Sequence, residues 1–124
     1  MSKITLNVAE YRNIFELAST FKGETNVKLA ALKVMEKISK EASSNTTKDE
    51  EGNDKLPDSI TIELTNTELE GYWKGIVGYV SDKSISVDKI LLIKLLMPKL
   101  KLSKRFEKLE ESITVTEDEI PLDE

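Results

Sequence analysis

Carboxylates and lysines are the side chains of this 124-residue sequence best able to do chemistry, and their spacing limits what they can do. Glu68 and Glu70 flank Leu69. Two residues apart on a helix, they point in different directions and do not form an acid–base pair. The run Asp49, Glu50, Glu51, Gly52, Asn53, Asp54 has a calcium-like composition. It fails the calcium-loop pattern, which needs alternating ligands, a glycine at the sixth position and a glutamate at the twelfth. The stretch GYWKGIVG, from Gly71 to Gly78, lacks the Gly-Lys-Ser/Thr ending of a phosphate-binding loop. The chain contains no His and no Cys. That excludes His or Cys zinc ligation, disulfides, and Ser or Cys hydrolysis with an imidazole base. A protein that is not an enzyme is expected, with no catalytic residues, no cofactor and no metal.

The remaining signals concern surfaces. Eight bases lie between Lys83 and Lys108, opposed only by Asp88 and Glu107. Lys99, Lys101, Lys104, Arg105 and Lys108 are the densest part, and such a cluster attracts phosphates in a salt-dependent way. Only one of the five is Arg, the residue suited to bidentate base reading. No aromatic residues interleave as stacking platforms. From Glu110 to Glu124 the chain has seven acids and no base, so the net charge of −5 conceals a body with a slight positive excess. The tail can solubilise, mask the lysines, or imitate phosphate.

A second candidate surface combines Tyr72 and Trp73 with Gly71, Gly75 and Gly78. The glycines follow i, i+4, i+7 and form a stripe without side chains. Each costs about 0.5–1 kcal/mol against Ala in a helix. Such a stripe serves either a partner contact or close packing against a neighbouring helix of the same domain, and the packing role is the commoner one.

Several elements must position these residues. Lys3 to Leu6 reads as a short strand, and Asn7 with Glu10 as a capping box. Tyr11, Ile14, Phe15, Ala18 and Phe21 follow at helical spacing, with Gly23 as a stop. A second helix is predicted from about Asn26 to Ala42. Residues 43–58 read as a mobile acidic loop. Ile60, Ile62 and Leu64 alternate with polar residues as in a half-buried strand. Thr65 with Glu68, and Thr67 with Glu70, compete to cap the helix carrying Tyr72 and Trp73. ILLIKLLM, starting at Ile90, is apolar almost all round and predicts a central buried helix that Pro98 ends or kinks. Lys94 interrupts this run, which is far too short for a membrane span. Ser103 is placed to cap a last helix with Phe106 and Leu109. Residues 113–115, ITV, are either frayed tail or a strand edge. The N-terminus has no apolar signal core, and the lack of Cys fits a reducing cytoplasm.

The first fifty-odd residues resemble a family of small uncharacterised proteins from phages of Gram-positive hosts. The shared features are the opening strand and helix, FKG at Phe21 to Gly23, the helix VKLAALKVMEKISKE, and the insert KDEEGN. This resemblance implies a phage-encoded, non-enzymatic protein of the host cytoplasm and assigns no functional residue.

The expected fold is therefore mostly helical α+β, with four to five helices and one short two-stranded sheet pairing Lys3–Leu6 with Ser59–Leu64. One domain spans residues 1–109, followed by an acidic tail, 110–124. The expected role is non-catalytic protein interaction, as an accessory or assembly factor, with a protein partner or self-association and no membrane. The alternatives are nucleic-acid binding through Lys99 to Lys108, and inhibition of a host defence enzyme.

Overall fold

The computed structural model describes residues 2–82 and 85–118, with side chains described as far as residue 111. The elements follow in the order β1 (Ser2–Asn7), α1 (Val8–Ser19), α2 (Thr25–Ser44), β2 (Thr47–Lys48), β3 (Asp54–Lys55), β4 (Ser59–Leu64), α3 (Asn66–Val80), α4 (Val87–Leu100) and α5 (Ser103–Asp118). The fold is α+β and mostly helical, with β1 paired to β4 as expected and a second small strand pair, β2 with β3.

β1 and β4 run antiparallel, with Ile4 opposite Ile62 and Leu6 opposite Ile60. Period-two alternation puts these four side chains, with Leu64, on one face, where the helices bury them. The other face is polar, and Thr5 and Thr61 meet across it through their hydroxyls at 2.9 Å. Each strand feeds directly into a helix through a capping box. Glu10 N–H donates to Asn7 Oδ1 at 2.9 Å and Asn7 N–H to Glu10 Oε1 at 2.8 Å. Thr65 and Glu68 repeat the arrangement at the start of α3, so Thr65 rather than Thr67 is the cap. Between the two units, Gly23 takes φ +118° within the turn joining α1 to α2.

Four expectations need correction. Residues 43–58 are not a featureless loop: α2 continues to Ser44, and the β2–β3 hairpin follows. Its turn is held by Asp49, whose Oδ1 accepts from the N–H groups of Glu51 and Asn53, both at 2.9 Å. Gly52 supplies the positive φ there. This structure is made from polar residues, so hydrophobic periodicity does not announce it. Pro98 does not stop α4, which runs on to Leu100. Lys101, at φ +60°, ends it. Leu102 N–H reaches Met97 O at 3.0 Å and Lys101 N–H reaches Pro98 O at 3.2 Å, the paired bonds of a Schellman ending. Leu102, not Ser103, holds the capping position of α5, since its carbonyl accepts the first bond, from Phe106 N–H at 3.0 Å.

Most consequential is α4 itself. It packs on α5, β1 and α3. Ile93, Leu96, Met97 and Leu100 enter the core, while Val87, Leu91 and Leu95 are 78%, 54% and 65% exposed. The helix lies at the surface rather than at the centre. Residues 113–115 are helical in backbone, within α5. Residues 119–124 of the expected tail, and Lys83 of the basic segment, fall outside the described residues.

Candidate protein-contact surface

Tyr72 lies in the core, 1% exposed. Its hydroxyl donates to Ile14 O at 2.9 Å, and the Phe21 ring meets its ring edge-on at a centroid distance of 4.8 Å. Burial pushes the phenol pKa well above its ordinary value. Gly71 is where α3 touches α2. A Cβ there would overlap the Cβ of Ala30 and crowd the Asn26 carbonyl. A Cβ at Gly75 would collide with the Phe21 ring. These three residues are committed to packing inside the fold, which corrects their placement as a partner contact. Trp73 is half-buried against the core, and Gly78 opens onto empty space. The glycine stripe is thus two-thirds an intramolecular seam.

The basic segment is divided by the Lys101 turn. Lys99 faces Glu10 at 3.8 Å, and Arg105 pairs with Glu70, fastening α5 to α3. The Arg105 guanidinium holds the Glu70 carboxyl below its ordinary value, chiefly by hydrogen bonding. Lys104 and Lys108 are exposed and make no ion pair among the described residues. They alternate along α5 with exposed Glu107 and Glu111. Positions i, i+3, i+4 and i+7 share one helix face, so that face is mixed in sign rather than uniformly positive.

Glu68, the other carboxylate of the Glu68–Glu70 pair, is structural. Its Oε1 accepts from Thr65 N–H at 2.8 Å and from Lys37 Nζ at 2.5 Å. Burial alone would raise this carboxyl, but the lysine and the cap together hold it below its ordinary value. Lys37 also donates to Glu63 O at 2.7 Å, so one ammonium ties α2 to β4 and α3. This tie has no sequence signal, because its members are 26 and 31 residues from Lys37. Glu68 and Glu70 are therefore bound to different bases and do not converge on one site. Among the described residues, no group of three or more acidic side chains is arranged to hold a metal ion, and no helix is long and apolar enough to cross a membrane.

Among the described residues, the longest aligned set of exposed apolar side chains lies on α4, while α2 exposes the pair Leu29 and Leu32. Val87, Leu91 and Leu95 recur every four residues, so they form a continuous ridge along one side of the helix. Lys94, bound to Glu110 at 3.0 Å, borders the ridge on the α5 side. Asp88 and Lys99 border the other side. Sequence patterning locates the helix but not the ridge, because a leucine-rich helix does not declare which of its faces is covered. Comparison with protein-family models, curated proteins and solved structures finds no match to this chain.

Proposed function

We propose that this protein acts by non-catalytic contact with another protein, and that the Val87–Leu91–Leu95 ridge of α4 is the contacting face. The observation that supports it is the exposure of three large aliphatic side chains in register on one helix, while Ile93, Leu96, Met97 and Leu100 of the same helix are buried. Scattered exposed leucines are ordinary on a protein surface, whereas an aligned group with a charged border is what a helix-in-groove or helix-on-helix contact uses. The phage resemblance of the first fifty-odd residues fits an accessory or assembly factor of this kind. The mixed charge along α5 makes nucleic acid the less favoured partner.

Affinity capture from bacterial lysate, with and without nuclease, tests the reading with the native chain and a Leu91→Glu/Leu95→Glu variant. Both positions are exposed, so the variant keeps the fold by circular dichroism and changes stability by about 0.5 kcal/mol or less. A protein retained by the native chain and lost from the variant is the expected result. Identical capture by both, or capture that nuclease removes, would reject the ridge as the contact.

A further inference from the structure

We infer that the occupant of the α4 ridge is a second copy of this chain, lying antiparallel across it about a twofold axis between Leu91 and Leu95. This rests on the reading of α4 as a contact face and names its partner. The charges bordering the ridge carry the inference. Asp88 and Lys99 are eleven residues apart, three helical turns, so they stand on the same flank of α4. Their midpoint falls between Leu91 and Leu95, half a residue or about 0.75 Å along the helix from the midpoint of those two leucines. In an antiparallel twofold pair, each flank meets the same flank of the other copy, with positions mirrored about the axis. Leu91 then packs on the partner's Leu95, and Asp88 meets the partner's Lys99, each contact occurring twice. A parallel pair would instead bring this flank against the opposite flank of the partner, where Lys94 stands, and would form no Asp88–Lys99 contact.

The other charges near this face are compatible with that arrangement. Lys94, on the opposite flank, lies close to the axis and would face its own copy. Glu110 at 3.0 Å offsets its charge in each chain. Lys99 has only a long contact to release, 3.8 Å to Glu10, and Glu10 keeps its bond from Asn7 N–H. The ridge is small beside the roughly 800 Å² per partner of a standard interface, so the dimer is weak and depends on concentration.

The test is sedimentation velocity on the full chain from about 10 µM to 1 mM, where weak dimers of this kind are populated. The native chain should shift from monomer to dimer over that range, and Leu91→Glu/Leu95→Glu should remain monomeric. Asp88→Lys and Lys99→Asp should each weaken self-association about fivefold or more, through two reversed pairs. Mixing these two single variants should restore dimers, because one copy then presents two lysines and the other two aspartates on the meeting flank. Glu110→Gln should also weaken the dimer by exposing the facing Lys94 residues to each other. A native chain monomeric throughout, a dimer indifferent to the leucine changes, or a mixture no more associated than its components would each overturn the inference. If the native chain stays monomeric but ridge-dependent capture from lysate persists, the contact reading stands with a different partner.

Discussion

At the scale of single residues, the three glycines of α3 are the most instructive. They look equivalent in sequence, and the fold makes them different. Gly71→Ala forces a methyl group into Ala30, and overpacking of that kind costs about 1–3 kcal/mol. Gly78→Ala meets nothing within 4 Å and recovers helix propensity, a gain of about 0.5–1 kcal/mol. Urea denaturation of the two variants should therefore move the midpoint in opposite directions. Equal shifts would contradict a seam between α2 and α3 at Gly71. The stripe itself is legible in the sequence, since i, i+4, i+7 spacing is local. Which glycine is covered is not legible, because the covering groups, Phe21 and Ala30, come from a distant part of the chain.

At the scale of elements, the ends of α4 and α5 carry a prediction of their own. Lys101 occupies a left-handed backbone position that costs a non-glycine residue roughly 1–2 kcal/mol. Lys101→Gly relieves this while adding disorder to the unfolded chain, so a net stabilisation of about 1 kcal/mol is expected. A thermal or chemical denaturation curve measures it, and an unchanged or lowered midpoint would contradict the Schellman ending. Signals confined to a few neighbours were readable at this scale: the two capping boxes, the alternation of β1 and β4, and the stripes of α1, α2 and α3. Pro98 is a strong local cue for an end or a kink, yet α4 does not end there. A proline in the last turn removes one donor, and the turn beyond it supplies the actual stop. The ridge of α4 was unreadable for a different reason. Amphipathic contrast tells inside from outside, and ILLIKLLM has almost none.

At the scale of the whole molecule, stability should depend on pH at the alkaline end through Tyr72. An unfolded chain ionises this phenol near pH 10, whereas burial keeps it protonated in the native state to much higher pH. Above pH 10 the unfolded state therefore binds fewer protons, and stability falls as pH rises, by up to about 1.4 kcal/mol per unit from this group. Tyr72→Phe removes the contribution, so its guanidinium midpoint should decline less steeply between pH 10 and pH 11 than that of the native chain. Parallel declines would indicate that other groups set the slope. Long-range pairing also has a cost in time. Thr5 and Thr61, facing one another across the sheet, are 56 residues apart. A ribosome emits that length in several seconds or more at about 5–20 residues per second, and β1 has no β4 to pair with until then. Ile4 and Leu6 meanwhile wait on a lone strand with only α1 and α2 to shelter them. Incomplete products ending before β4 are thus the species most prone to clump, and the newborn chain is most in need of a chaperone in that interval.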